Sequence, residues 1–285
     1  MKIVHSSERK WLANQLRHRK GNILIKEMLE GKDNSPENYK FFLSDESADF
    51  YSPRHRHPWD QIRFCLKGSV PIGKRKSVDA GEIGYFPEGV PYGPQDGEDR
   101  LVAILQFGGA SGQGMLSAAQ VNRGYDLLSE EGSFQRGVFC RHNADGRRNQ
   151  DGYEAVWEKI TGHKMKNPPP RYQEPVVMNP NNFGWRQVSN VKGVDRREIG
   201  RFSERGTQID FYRLIKGGRR MLPSAEHLKL LYVVKGTGSC GRHVYRRHTS
   251  IELLPGEAIS FKPNTQTEVL SITIPSVVAL GLQAA

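Results

Sequence analysis

The sequence predicts an all-β protein made of two barrels with a helical segment between them, and three observations support this fold class. Short apolar stretches of strand length recur between glycine and proline turns in both halves of the chain, as is typical of sandwiches and barrels. Residues 228–236 repeat the pattern of residues 62–68, which indicates an internal duplication at the scale of a domain. Helical spacing of apolar residues is found mainly in the middle of the chain, at 117–130 and 153–160.

The chain divides into four predicted segments. These are an entry segment at 1–38, a first barrel at 39–110, a helical insertion with a linker at 111–175, and a second barrel at 176–285. Trp11, Leu12 and Leu16 have helical spacing, so the entry segment is expected to be helical or mixed. The prolines at 168–170 mark the linker, because consecutive prolines favour an extended chain.

Composition supports packed domains and excludes several classes of protein. A chain of 285 residues with 36% hydrophobic residues can form one large or two small cores. No apolar run approaches the roughly 20 residues of a transmembrane helix. Residues 1–20 are charged and lack the apolar stretch of a secretory signal. The three cysteines are too scattered for a disulfide framework or a zinc knuckle. A cytoplasmic protein is therefore predicted.

The net charge of +11 raises the question of an acidic partner. Basic residues are distributed along the whole chain, and no helix concentrates them. An RNA-binding motif with interleaved aromatic residues is absent from the sequence. Nucleic-acid binding is therefore not expected. Two interpretations stay open, a generally basic surface and a local attraction for a small anionic substrate.

A pair of histidines two positions apart is the clearest candidate for chemistry. His55 and His57 precede a strand-like run, and side chains that alternate along a strand would put both imidazoles on one face. Two imidazoles on one face can hold one metal ion. Gln61 would supply a third, oxygen ligand from the same face.

The same alternation assigns roles to the neighbours of these ligands. Arg63 shares the predicted inner face and could pair with a substrate carboxylate. Cys65 is expected to be a small buried apolar residue on that face. Asp60 is expected on the opposite face, in a salt bridge at the surface. Because imidazole and amide ligands are neutral, a bound ion would keep its positive charge and attract an anionic substrate.

These residues resemble the first of the two motifs of the cupin superfamily, His-x-His followed by a glutamate and then a glycine. His55, His57 and Gly68 match that motif, and Gln61 stands where glutamate is usual. The resemblance implies a small β-barrel with a metal site at its mouth.

The second cupin motif, Gly, five residues, Pro-x-Gly, two residues and His, is similar to residues 81–92. Gly81, Pro87 and Gly89 match, and Tyr92 stands where histidine is usual. Tyr92 and Gln106, a polar residue on an apolar strand, are predicted either as a fourth ligand or as a partner of the ligands.

The second half of the chain resembles a cupin without a ligand set. Gly236 is aligned with Gly68, and Gly256 with Gly81, to compare the two halves. The residues then found opposite the ligand positions are Pro223, Ala225, Lys229 and Thr267. The second barrel is therefore predicted to be degenerate and free of metal.

The resemblance implies a two-domain cupin, or bicupin, built from jelly-roll (double-stranded β-helix) barrels that commonly pair as a homodimer. It also implies a divalent transition metal, such as Fe, Mn, Ni or Zn. The leading prediction is a metal-dependent enzyme acting on a small, anionic organic molecule, specifically a dioxygenase-type oxidoreductase. Two alternatives stay open: a non-catalytic protein that binds or senses a small molecule, and a metal-dependent isomerase, lyase or hydrolase without a redox step.

Overall fold

The computed structural model describes residues 1–13, 17, 19–33, 35, 37–113, 115–143, 146, 148–224 and 226–277. These residues form two compact units. The first unit contains Trp11–Lys26 and Glu30–Val177. The second unit contains Met1–Lys10, Glu27–Leu29 and Met178–Gln283, of which residues beyond 277 are not described. Within the described residues, every helix is too short or too polar to cross a membrane.

Strands account for most of the regular structure in both units. In the first 178 residues they are β1 (Lys2–His5), β2 (Leu12–Ala13), β3 (Ile23–Glu30), β4 (Tyr39–Glu46), β5 (Trp59–Lys67), β6 (Ser69–Gly73), β7 (Lys76–Asp79), β8 (Ile83–Phe86), β9 (Arg100–Gly108), β10 (Gly132–Gln135), β11 (Val138–Arg141), β12 (Asn149–Asp151) and β13 (Val176–Met178). In the remainder they are β14 (Arg186–Gln187), β15 (Val194–Phe202), β16 (Thr207–Leu214), β17 (Arg220–Leu222), β18 (Leu228–Lys235), β19 (Gly238–Cys240), β20 (His243–Tyr245), β21 (Thr249–Leu253), β22 (Ile259–Pro263) and β23 (Thr267–Ile274). The helices are α1 (Ala118–Ser129), α2 (Gly152–Thr161) and the short 3₁₀ turns Ser6–Glu8 and Pro180–Asn182. The all-β class predicted from the sequence is confirmed.

The main sheet of the first unit has the strand order β13-β8-β5-β9-β4-β3-β2, with β6 and β7 forming a separate hairpin. Strand β5 lies between β8 and β9, so it contributes to the barrel interior along most of its length. Apolar side chains of the strands and their connecting segments close the core of this unit. They include Ile23, Ile25, Phe42, Phe50, Cys65, Val70, Ile72, Val78, Phe86, Val102 and Ile104.

The segment between the two sets of strands folds into two helices and a three-stranded sheet. Ser117 caps α1 with its side chain on the backbone N–H of Gln120, and the Gln120 side chain accepts from Ser117 in return. Asp151 caps α2, and Gly162 ends it in the left-handed conformation at φ 73°. The two helices and strands β10–β12 share a core of their own, made of Leu116, Tyr125, Leu128, Phe139, Ala155 and Val156.

The proline-rich segment that follows α2 is held to the first barrel by ion pairs. Arg171 donates to Glu88 at 2.6 Å, and Lys76 donates to Glu174 at 2.5 Å. The ring of Tyr172 packs edge-on against Tyr85, with ring centroids 5.8 Å apart. Residues 171–174 of the predicted linker are therefore bound to the first barrel.

The main sheet of the second unit has the order β1-β21-β18-β23-β16-β15-β14, and a smaller sheet has the order β17-β22-β19-β20. Strand β1, from the start of the chain, pairs with β21 here, with Ile3 opposite Ile251. The expected helix at Trp11 and Leu12 is not seen, since Leu12 lies in β2 and pairs with Ile25. Leu16 lies outside the described residues.

Strand pairing corrects the sequence alignment of the two halves. In the first unit β8 pairs with β5, and in the second unit β21 pairs with β18. The counterpart of β8 is therefore β21, Thr249–Leu253, and not the stretch that begins at Gly256. The His55–Tyr92 backbone bridge of the first unit corresponds to the Leu222–Ile259 pair of β17 and β22. Thr267 begins β23 and is not opposite Tyr92; Ala225 lies outside the described residues.

Candidate functional site

The two histidines lie just before strand β5 and not within it, because β5 begins at Trp59. Their position is fixed by backbone pairing with the segment that follows β8. His55 and Tyr92 exchange two hydrogen bonds of 3.0 and 2.9 Å, and the carbonyl of His57 accepts from the N–H of Gly89 at 2.8 Å. Pro53 and Pro58 flank the histidines and have no N–H to offer to a ladder. The backbone bonds to Tyr92 and Gly89, and not pairing within β5, therefore position the two histidines.

Five side chains meet at one point in the first barrel, and we call them the Tyr92 cluster: His55, His57, Gln61, Arg63 and Tyr92. The Tyr92 hydroxyl oxygen lies 3.1 Å from Nε2 of His55 and 2.9 Å from Nε2 of His57. It accepts hydrogen bonds from Nε2 of Gln61 at 3.1 Å and from Nη2 of Arg63 at 3.0 Å. Gln106 lines the same cavity but is not among these four partners. A phenol oxygen thus occupies the point on which both imidazoles converge.

The orientation of the Gln61 amide follows from its neighbour Arg63. Nε of Arg63 lies 3.2 Å from Oε1 of Gln61. A guanidinium can only donate, so the amide atom that faces it must be the oxygen. The amide nitrogen then faces the Tyr92 hydroxyl. The oxygen of Gln61 is therefore occupied by Arg63 and does not face the histidines.

Both imidazoles are held neutral. Burial, followed by the Arg19 guanidinium and His57, holds the pKa of His55 well below its ordinary range. Burial, followed by Arg19 and Arg63, does the same to the pKa of His57. Nδ1 of His55 lies 2.6 Å from the carbonyl oxygen of Pro53, so it carries the proton and Nε2 presents a lone pair to Tyr92.

The Tyr92 cluster does not fit a divalent cation in this arrangement. Its donors are neutral, its amide oxygen is bound to Arg63, and the guanidinium itself contacts the central oxygen. Anionic ligands, which offset the charge of a bound ion, are missing from the cluster. Among the described residues, no group of three or more His, Cys, Asp or Glu side chains could hold a metal ion. Coordination by Gln61 would require its amide to turn and Arg63 to move away.

A cavity of about 180 Å³ opens beside the Tyr92 cluster. Alternate residues of β4 face it, as expected for one side of a strand: Lys40, Phe42, Ser44 and Glu46. Ile104 and Gln106 of β9 line it next to them. The helical insertion contributes a further part of the lining, which includes Met115, Leu116, Val121, Tyr125 and Tyr153.

The charges at the cavity are unbalanced in favour of cations. The Glu46 carboxylate is paired with Arg100 at 2.6 Å, and their side chains are 4% and 0% exposed. Arg19 and Arg63 also line the cavity. Within the part of the chain that the structure describes, no carboxylate lies within ion-pair distance of either guanidinium. An anionic occupant would therefore meet two cations without a counter-charge.

Two expectations about the neighbours of the ligands have different outcomes. Asp60 is only 1% exposed and accepts from the Tyr85 hydroxyl and from the N–H of Glu88, both at 2.8 Å. The expectation of a surface salt bridge for Asp60 is wrong, because the other face of β5 is also covered. Cys65 is fully buried, and burial raises the pKa of its thiol to about 11. It is an inert apolar residue, as expected.

Several residues of the site were not identified from the sequence. Arg19 is separated from β5 by strands β3 and β4, and nothing in its local pattern distinguishes it from other basic residues. Tyr153 lies in the first turn of α2, and its ring packs edge-on against Trp59 with centroids 5.0 Å apart. Asp151 as an N-cap residue predicted that helix, but the contact of Tyr153 with the barrel depends on the tertiary fold.

Comparisons with known proteins give structural neighbours only. No family model matches the chain, and no curated protein matches it. A candidate dioxygenase from Nostoc punctiforme superposes with a TM-score of 0.61 at 10% identity, covering 97% of this chain and 83% of the neighbour. A variant of oxalate decarboxylase from Bacillus subtilis gives a TM-score of 0.56 at 10% identity, covering 96% and 77%.

A third neighbour is HEPD from Streptomyces albus, solved with 2-hydroxyethylphosphonate and Fe(II) bound. It gives a TM-score of 0.56 at 12% identity, covering 99% of this chain and 79% of that one. At such identities the likeness concerns the fold alone. The neighbours span both barrels of the chain, and the two units repeat one strand order. The chain therefore has the two-domain cupin fold.

Proposed function

We propose that the first barrel binds a small organic anion directly on its side chains, without an ion between the two histidines. The observation that carries this proposal is the pair of guanidiniums, Arg19 and Arg63, that line the cavity with no carboxylate partner among the described residues. This is the binding or sensing alternative considered from the sequence. An anion would replace the missing counter-charge and gain charge-assisted hydrogen bonds.

The Tyr92 cluster supports this function by fixing Arg63. The guanidinium is hydrogen bonded to Gln61 and Tyr92, and it lies over the ring of Phe86 at 4.8 Å from the centroid. A guanidinium held on both sides loses little conformational freedom when it binds a ligand. The neutral imidazoles add hydrogen-bonding groups without adding charge.

The test is thermal unfolding of the full chain, stripped of metal by a chelator, in a series of organic anions. A ligand present at 100 times its Kd stabilises the folded state by roughly 2.7 kcal/mol. The anion that stabilises most should lose its effect in Arg63→Met and keep it in Arg213→Met, a matched arginine of the second barrel that pairs with Asp195. Equal stabilisation of both variants would place the anion site outside the first barrel.

The second candidate is the metal-dependent enzyme, specifically an oxygenase, predicted from the sequence. One observation favours it: two neutral imidazoles direct Nε2 to within 3.1 Å of a single point. Elemental analysis of protein purified without a chelating tag separates the candidates. One Fe, Mn, Ni or Zn ion per chain, lost in His55→Ala, would support the enzyme and overturn the ion-free site. Oxygen consumption with diketones, catechols and hydroxy acids would then test for an oxygenase.

A cytoplasmic location and a homodimer are further proposals, tested by fractionation and light scattering.

A further inference from the structure

Four buried nitrogen atoms on residues that line the cavity have no hydrogen-bond partner among the described residues. They are Nη1 of Arg19, Nε1 of Trp59, Nε2 of Gln95 and Nδ1 of His57. The first three can donate and cannot accept. A buried donor without a partner costs about 1–3 kcal/mol. The residues that line the cavity are therefore short of acceptors, and an occupant with several acceptor oxygens within reach of these nitrogens would relieve that cost.

The guanidinium of Arg19 makes a charged acceptor the best match. Asp151 attracts Arg19 but lies beyond ion-pair distance, and Arg63 repels it. Lys40 lines the same cavity, and Glu46 there is already paired with Arg100. A neutral carbonyl would satisfy the unpartnered donors but would leave the guanidinium without a counter-charge. A carboxylate satisfies both requirements.

The body of the occupant would meet aromatic and aliphatic surfaces. The imidazole of His57 stacks on the indole of Trp59, with centroids 4.3 Å apart, and Tyr153 packs edge-on against Trp59 at 5.0 Å. Phe42 and Ile104 line the barrel side of the cavity. A planar ring can both stack on an aromatic surface and fit between aliphatic side chains.

The volume of the cavity favours an occupant with a single ring. Its volume is about 180 Å³, slightly larger than the roughly 150 Å³ of an apolar cavity that binds benzene. Val121 and Tyr125 of α1 also line the cavity. We propose that the ligand is a carboxylate on one planar ring, of the size of benzoate. This inference rests on the proposed function and narrows its ligand class.

Calorimetric titration of the full chain with three probes tests the inference. Benzoate carries both the ring and the charge, acetate carries the charge alone, and benzamide carries the ring alone. Benzoate is expected to bind at least ten-fold more tightly than either of the others. Equal affinity for acetate and benzoate would overturn the ring while leaving the anion site intact. Equal affinity for benzamide and benzoate, or no binding of any probe, would overturn the anion site itself.

Two variants identify where benzoate binds. Arg19→Gln should weaken benzoate at least ten-fold and leave benzamide unchanged. Its matched control is Arg123→Gln, an exposed arginine of α1 that is not among the residues lining the cavity and should not alter binding. Val121→Trp changes a partly exposed residue and should fill the cavity, so benzoate binding should be lost. Unchanged benzoate affinity in Val121→Trp would overturn the assignment to this cavity, whether or not Arg19→Gln folds.

Discussion

The main sheets of the two barrels have the same strand order. At one corresponding pair of positions, the interior of the first barrel is polar and that of the second is apolar. In the first barrel the His55–Tyr92 bridge brings a phenol and an imidazole into a polar cluster beside a cavity. In the second barrel the corresponding pair is Leu222 and Ile259, which are 2% and 3% exposed and belong to the apolar core. At this pair of positions, polar side chains form a candidate ligand site in the first barrel, and apolar side chains form part of the packed core in the second.

The partners of the charged residues differ between the two barrels. Asp210 accepts from Arg196 at 3.0 Å and from Gln208 at 2.9 Å. Lys229, at the position of Gln61, donates to the carbonyl of Pro223 at 2.7 Å. The charges of Arg196 and Asp210 are compensated within the barrel, whereas Arg19 and Arg63 of the first barrel lack a carboxylate partner among the described residues.

The largest contrast is expected from breaking one ion pair in each barrel. Arg100→Met leaves the buried Glu46 carboxylate without its partner, and the expected loss is about 3–5 kcal/mol of unfolding free energy. Arg213→Met breaks a pair whose side chains are 32% and 19% exposed, and the expected loss is below about 1 kcal/mol. Urea unfolding followed by hydrogen exchange of peptides from each unit measures both. A loss in Arg213→Met as large as that in Arg100→Met would contradict the contrast.

A smaller contrast is expected at the bridge itself. Ile259→Ala removes a buried aliphatic side chain, and the expected cost is about 2–5 kcal/mol. Tyr92→Phe keeps the ring but leaves the donors of Gln61 and Arg63 without their acceptor, at about 1–3 kcal/mol. Each cost should appear only in the unfolding transition of the mutated unit. An unchanged unfolding free energy in Tyr92→Phe would indicate that water replaces the hydroxyl as the acceptor of these hydrogen bonds.

The last expected effect is a pH dependence confined to the first barrel. His55 and His57 have pKa values lowered by burial in the folded state, so the unfolded state binds more protons as the pH falls below about 6.5. Stability should be fully present above that pH and decline below it, by up to about 1.4 kcal/mol per histidine and pH unit. Urea titrations at pH 5.5 and 7.5, in the presence of a chelator, measure the change. In His55→Gln the slope should be about halved; an unchanged slope would refute the assignment.

The fold was predictable because turns and strand-length apolar runs are local signals. The region of the site was predictable for the same reason, since His55, His57 and Gln61 form a short pattern. The central role of Tyr92 was not predictable, because it depends on a backbone bridge between distant segments. Asp60 was misjudged since its partners, Tyr85 and Glu88, come from elsewhere in the chain.

The alignment of the two halves on Gly81 and Gly256 was wrong, and the sequence alone does not show why. Gly256 and Glu257 repeat the Gly81 and Glu82 pair, but the strand pairing does not align them, because Gly81 precedes β8 whereas Gly256 follows β21. Only the ladder between β18 and β21 shows which strand follows the interior strand in space. A glycine can therefore mark the wrong strand when two halves share little else.

Strand β1 is hydrogen bonded to β21, although nearly the whole chain separates them. During synthesis, residues 2–5 cannot make this pairing until residues 249–253 have left the ribosome. The unit built around β18 is thus expected to complete its sheet only after β21 has been synthesised. A fragment that starts at residue 178 would expose the edge of β21, and an added peptide matching residues 1–10 should restore its cover.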